Sequence, residues 1–185
     1  MRVISGMVAR RKLQSPIGME IRPTPDRIKE TLFNILAPDI YGVDFLDLCA
    51  GSGQIGIEAL SRGASSAVFV DDGKNANDCI RKNLEVFKGY DVKYEVYRMG
   101  AVPAIAKLSS LGRTFDMIFM DPPYDKSIER EVLLTLDRYR ILNKEGRIIV
   151  EASAGTEFDY LEETGFEIYR EKIYGSNKHI FIAYK

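Results

Sequence analysis

The stretch DFLDLCAGSGQIGIEAL, residues 44–60, decides the reading of this chain. Asp44–Leu48 is a short apolar run of strand length, and from Gly53 to Arg62 the apolar residues fall at helical spacing. Strand, glycine turn and helix in that order open a crossover unit whose turn lies close to a ligand. Gly51 and Gly53 remove side chains where the backbone must turn tightly and approach that ligand, and Gly56 lets the helix lie close to the sheet. Asp71 ends the next apolar run, twenty residues after Gly51, where a carboxylate can accept hydrogen bonds from both hydroxyls of a ribose. The spacing Gly51-x-Gly53-x-x-Gly56 also fits a dinucleotide fingerprint. Asp47 argues against that, because a carboxylate there would repel a pyrophosphate and suit the ammonium of a methionine moiety. A tight turn without a ligand is the plain alternative, and Asp72 is expected to face solvent.

Downstream of residue 43 the pattern alternates. Strand-like runs are Asp44–Leu48, Ala67–Val70, Tyr94–Arg98, Met117–Met120, Arg147–Val150, Phe166–Tyr174 and Ile180–Tyr184. Helix-like stretches Gly53–Arg62, Asn75–Phe87, Val102–Leu111 and Ile128–Tyr139 separate the first five. This predicts an α/β fold, a doubly wound, mostly parallel seven-stranded sheet whose last two strands form a hairpin, with a reversed strand at one edge. Ligands of such sheets bind beyond the carboxyl ends of the strands.

Upstream, residues 1–25 hold the breakers Gly6, Pro16, Gly18, Pro23 and Pro25 and predict a hairpin or extended arm. A helix over Asp26–Ala37 follows, with Thr24 as N-cap, Pro25 in its first turn and Ile28, Leu32, Ile35 and Leu36 facing the core. Net charge over the whole chain is −1, but residues 1–30 hold seven Lys or Arg against three acids. Such asymmetry suits a polyanion-facing end, though charge alone leaves a solvated basic face equally open. The 185 residues, 45% hydrophobic and 29% charged, fit one globular domain with a short appendage. No run of about 18 apolar residues predicts a membrane span. Residues 1–12 lack the apolar core of a secretory signal. Cys49 and Cys79 form neither a metal motif nor a disulfide framework, so a reducing cytoplasm is expected.

A second motif ends the fourth run: Asp121-Pro122-Pro123-Tyr124. Two prolines cannot continue a strand ladder, so they fix a rigid turn whose carbonyls point outward. Asp121 adds a carboxylate acceptor and Tyr124 a flat aromatic face, which suits a planar base bearing an amino group. Asp121 and the Pro122 carbonyl can bind the two amino hydrogens and draw the nitrogen toward tetrahedral geometry. Attack on a sulfonium methyl is then a one-step displacement needing neither a nucleophilic side chain nor a metal. A rigid surface turn is the alternative.

Together the two motifs resemble class I S-adenosylmethionine methyltransferases that modify amino groups. The stretches Arg2–Gly6, Arg11-Lys12-Leu13, Arg22–Leu36, Asp47–Gly53, Gly56–Ala64 and Asp121–Tyr124 are similar to RsmD-type enzymes, bacterial 16S ribosomal RNA guanine-N2 methyltransferases. The resemblance runs along nearly the whole chain. It implies a Rossmann-like methyltransferase domain over residues 39–185 and an RNA-facing hairpin and helix extension over residues 1–38. It implies S-adenosyl-L-methionine as cofactor, leaving S-adenosyl-L-homocysteine, held by Asp47, Cys49, Ala50, Gly51, Ser52, Gly53, Gly56, Asp71, Asp72, Gly100, Ala101 and Asp121. It implies that Asp121, Pro122, Pro123 and Tyr124 hold the target guanine. Arg2, Arg10, Arg11, Lys12, Arg22, Thr24, Arg27 and Lys29 would meet 16S ribosomal RNA or an assembling small subunit, with the enzyme a cytoplasmic monomer that uses no metal. Four departures stand out: Cys49 where the family has Phe, Gln54 where a small residue is usual, Asp71 for the commoner Glu, and Met99-Gly100-Ala101 without an acid near the cofactor adenine.

Other readings predict different behaviour. An adenine-N6 methyltransferase would use the same turn, whereas protein glutamine methyltransferases start theirs with Asn. A nucleotide-dependent oxidoreductase would follow from the glycine spacing, and a non-catalytic RNA-binding factor from the altered Met99-Gly100 region. His179, the only histidine, is expected at the surface or a sheet edge, and Glu151 at a solvated strand end. Cys49 is expected to be a small buried hydrophobe, and Tyr94, Tyr97 and Tyr174 to pack on the sheet.

Overall fold

Alternating apolar runs bury both faces of a sheet, and that sheet organises the molecule. A computed structural model describes residues 1–16, 25–123 and 128–185. Its strands are β1 (Asp44–Leu48), β2 (Ser66–Asp71), β3 (Lys93–Arg98), β4 (Phe115–Met120), β5 (Leu142–Ser153), β6 (Phe166–Tyr174) and β7 (Asn177–Tyr184). They form one seven-stranded sheet in the order β3-β2-β1-β4-β5-β7-β6. β1 to β5 run parallel, and β7 lies antiparallel between β5 and β6. The reversed strand is therefore one place in from the edge, not at the edge as the sequence suggested. β6 turns back through a tight hairpin and pairs on the outer side of β7, which covers β7's second edge.

The helices are α1 (Asp26–Leu36), α2 (Gln54–Ser61), α3 (Lys74–Leu84), α4 (Ala101–Ser110) and α5 (Ile128–Tyr139). The predicted helix over 75–87 ends at Leu84, and Glu85–Phe87 tightens into a 3-10 turn. Alternate residues of each strand serve two cores. Phe45, Phe69, Phe119, Ile149 and Phe181 pack with α1, α2, α3 and the N-terminal segment. Leu46, Val68, Ile118, Ile148 and Ile182 pack with α4 and α5 on the other face. Every residue of α2 is buried, because the sheet lies beneath it and the N-terminal hairpin and α1 lie over it.

That hairpin is closed by an Arg2–Lys12 bridge, and Val3, Val8 and Leu13 join the first core. Glu58 of α2 is fully buried and fastens it. Its carboxylate accepts the amides of Ile4 at 2.8 Å and Ser5 at 3.0 Å and the Arg62 guanidinium at 2.8 Å. Lys29 of α1 completes the arrangement: its ammonium donates to the Arg2 carbonyl at 2.6 Å and lies 3.8 Å from Glu58. The buried stripe of α1 is thus Lys29, Leu32, Phe33 and Leu36, while Ile28 and Ile35 are only half-buried. An apolar periodicity search misses a lysine whose charge is met by a buried acid. Pro25 itself occupies the N-cap position, and Thr24 lies outside the described residues.

Candidate active site

The carboxyl ends of the central strands carry a row of acids, and strand alternation sets it. Asp47, Asp71, Asp121 and Glu151 each continue the series of side chains that faces the aromatic core containing Phe45, Phe69, Phe119 and Ile149. β1 and β4 are neighbours with Leu48 opposite Met120, so the glycine loop and the Asp121-Pro122-Pro123 corner spring from adjacent strand ends. Four acids converge on Cys49. Burial first, then Asp71, Asp121, Asp47 and Asp72, push its thiol up to about 12. Cys49 is half-buried and left-handed (φ 57°), a turn residue and not a core hydrophobe.

The loop is wired before any ligand arrives. Gly51 and Gly53 both take positive φ, and space is open where a Gly51 side chain would stand. Asp71 accepts the Gly51 amide at 2.8 Å through one oxygen and the Gly73 amide at 2.9 Å through the other. Each oxygen keeps a lone pair for a ribose hydroxyl. The Asn77 amide donates to the carbonyls of Asp71 and Gly73, both at 2.8 Å, which fixes the turn into α3. Ala50 donates its amide to Val70. The Ser52 carbonyl accepts from Asn83 at 2.9 Å. Asp47, 1% exposed, lies beneath the loop and accepts the Gly56 amide at 2.9 Å. Burial drives its carboxyl up to about 8 against the pull of that amide, and Asp71 adds to the rise. Gly56 is where α2 meets the sheet: a Cβ there would come within 2.4 Å of the Phe69 ring. Asp72 is exposed, and Gly100 and Ala101 are half-exposed at the start of α4.

At the corner, Asp121 is partly exposed, Pro122 buried and Pro123 exposed. Desolvation, then Glu151, then Asp47, raise the Asp121 carboxyl well above the carboxylate range. Tyr124 lies outside the described residues. Two discounted residues prove to be interior. His179 is 1% exposed and Glu151 is 4% exposed, and they pair at 3.2 Å. β7 is not an edge strand, which is why both are covered. Residues singled out as RNA contacts divide. Arg2, Arg10, Arg11, Lys12 and Arg27 are exposed, with Arg2 also paired to Asp26 at 3.0 Å. Arg22 lies outside the described residues. Lys29 is not available to RNA: it is fully buried against Glu58. Tyr94, on the edge strand β3, is 46% exposed.

The donor set fits S-adenosylmethionine. A mouth lined by Asp71, Asp72 and Asp121, with Asp47 buried beneath the loop, favours a cationic sulfonium and ammonium and opposes a dinucleotide pyrophosphate. The strand order with β7 reversed, together with this loop, defines a class I S-adenosylmethionine-dependent methyltransferase. The model of the family described as conserved hypothetical protein 95 matches residues 1–183. The chain belongs to this family, whose relatives include RsmD-type enzymes. It is 33% identical to the ribosomal RNA small subunit methyltransferase D of Escherichia coli K12 over 174 residues, 94% of this chain and 85% of that one. It is 39% identical over 151 residues, 82% of each chain, to YlbH of Bacillus subtilis, a protein named as a candidate rRNA methyltransferase. Among solved structures, the Escherichia coli candidate methyltransferase yhhF superposes with a TM-score of 0.83 at 31% identity, covering 100% of this chain and 98% of that one.

Proposed function

We propose that this enzyme transfers the methyl group of S-adenosylmethionine to the exocyclic N2 amine of a guanine in small-subunit ribosomal RNA. One observation carries the reading: the acidic glycine loop and the proline corner leave neighbouring strands β1 and β4 at the same level. Bound there, the cofactor supplies an electrophilic methyl carbon. Asp71 holds the ribose, and Asp47 and the loop amides orient the methionine end. Asp121 and the Pro122 carbonyl accept the amine hydrogens, and the face of Tyr124 stacks on the base. These groups position the amine and stabilise the charge it develops, which is the largest service a protein gives to such a displacement. A guanine amine is out of reach inside a stacked helix, so the base is presented unpaired or extruded.

The substrate class is the one for which the Escherichia coli relative is named. Residues 1–38 serve as the RNA-facing extension, with Arg2, Arg10, Arg11, Lys12 and Arg27 on phosphates; Arg22 and Thr24, outside the described residues, are assigned the same role. The enzyme works as a cytoplasmic monomer on RNA or an assembling particle; among the described residues no helix is long and apolar enough to cross a membrane. The test is a nucleoside digest of ribosomal RNA from cells with and without the protein. N2-methylguanosine disappears without it and returns with the wild type but not with Asp121→Ala. An unchanged digest overturns the reading, and loss of N6-methyladenosine instead transfers it to adenine.

A further inference from the structure

Behind Asp121 lies a polar pair that the displacement itself does not use. Glu151 of β5 and His179 of β7 stand opposite each other in register, with 3.2 Å between Oε2 and Nε2. The edges of Phe119, Tyr174 and Phe181 surround the imidazole at ring-centre distances of 6.3, 5.1 and 6.5 Å. The Asn177 amide reaches the other Glu151 oxygen at 3.4 Å. Among the described residues the His179 Nδ1 and the Tyr174 hydroxyl are buried without hydrogen-bond partners. Burying such a pair gains little stability over apolar residues of the same size, so its presence asks for a functional account. Its position supplies one. Met120 pairs with Val150, so the next residues along, Asp121 just past the end of β4 and Glu151 near the end of β5, lie on neighbouring strands.

We propose that Glu151 and His179 are positioning residues that hold Asp121 ready to take the proton released by the methylated amine. The inference rests on the amine-methylation reading. In that reaction the amine lone pair forms a bond to the methyl carbon, and the carbon–sulfur pair stays on sulfur. The nitrogen becomes cationic, and its N–H pair returns to it as the proton moves to the Asp121 carboxylate. An acceptor suits this step only if its proton affinity approaches that of the working pH. The charge of Glu151 raises that of Asp121, and so does Asp47 from β1. His179 holds the Glu151 carboxylate in place. Among the described residues, the other charges on this face of β6 are Lys172, opposite His179 in register, and Arg170, whose field reaches Tyr174; Lys178 points to the opposite face toward Glu171 at 3.4 Å.

The test has two readouts. Carbon-13 carboxyl NMR on the cofactor-free protein follows the titration of Asp121. The wild-type signal titrates above the ordinary carboxylate range, and Glu151→Gln lowers its midpoint by about one pH unit or more. Single-turnover methylation follows the same groups: the rate rises with pH as Asp121 ionises, and Glu151→Gln moves that rise to lower pH while cutting the plateau about tenfold. His179→Gln, which keeps a donor for Glu151, preserves the pH profile. An Asp121 that titrates like a free carboxylate in the wild type overturns the inference, even if a variant fails to fold. So does methylation whose pH profile ignores Glu151→Gln. A raised Asp121 titration that Glu151→Gln lowers, with no methyl transfer to guanine, removes the functional reading and leaves the carboxylate coupling standing.

Discussion

Replacing Asp47 by Asn removes a charge while keeping an oxygen to accept the Gly56 amide, so it isolates electrostatics from geometry. Asp47 is 1% exposed, and its carboxyl is raised from 3.8 to about 8. An unfolded chain loses this proton near the ordinary carboxylate value, whereas the folded chain keeps it until about pH 8. The folded state therefore binds the extra proton between these limits, and stability falls as pH rises across the window. Asp47→Asn should flatten that decline, gaining on the wild type as pH approaches 8. Cofactor binding runs the other way. A cation above the loop favours the ionised carboxylate, so binding releases a proton. If only the ionised form binds, affinity is about fifty-fold weaker at about pH 6 than at about pH 8. In Asp47→Asn the affinity at about pH 8 falls by about ten- to a hundred-fold, the worth of a charge-assisted contact, and its pH dependence shrinks. Calorimetry in buffers of different ionisation heat measures affinity and proton release together. Equal affinities at both pH values, no proton release, and a variant that binds like the wild type would refute the reasoning.

Three further substitutions have expected outcomes. Lys29→Ala should lose on the order of 3 kcal/mol of stability, because it leaves the buried Glu58 without one of its cations. Arg27→Ala, on the exposed side of the same helix, should leave the melting temperature unchanged, weaken RNA binding and reduce its salt dependence; equal melting losses for both would contradict the assignment. Gly56→Ala sets a methyl within 2.4 Å of Phe69 and should cost about 1–3 kcal/mol, read as a lowered denaturation midpoint with weakened cofactor binding.

The sheet was largely legible because apolar runs and breakers are local signals. The run 44–48, the glycine turn and the helix after it are each specified by residues a few positions apart. The place of β7 was less legible, since strand order depends on which edge the closing hairpin takes. The candidate site was legible as two short segments, 47–56 and 121–123, which the fold brings to neighbouring strand ends, although Cys49 within the first is a half-buried turn residue and not the expected buried hydrophobe. Where two distant segments share a charge, sequence failed. Lys29 looked like an RNA contact because Glu58, its counter-charge, lies on another helix. His179 and Glu151 looked like surface residues because nothing near either in sequence shows that β6 and β7 cover them. A lysine on the apolar stripe of a helix, and an acid following the apolar run Ile148-Ile149-Val150, were the available clues.

The most direct measurement is a crystal structure of the enzyme with a non-reactive S-adenosylmethionine analogue and a guanine-containing RNA fragment. The account predicts the ribose on Asp71, the methionine end over Gly51, and the guanine amine within about 3–3.5 Å of the methyl-equivalent group, gripped by Asp121 and the Pro122 carbonyl. A cofactor seated away from the glycine loop, or a corner at Asp121 facing away from it, would contradict the account.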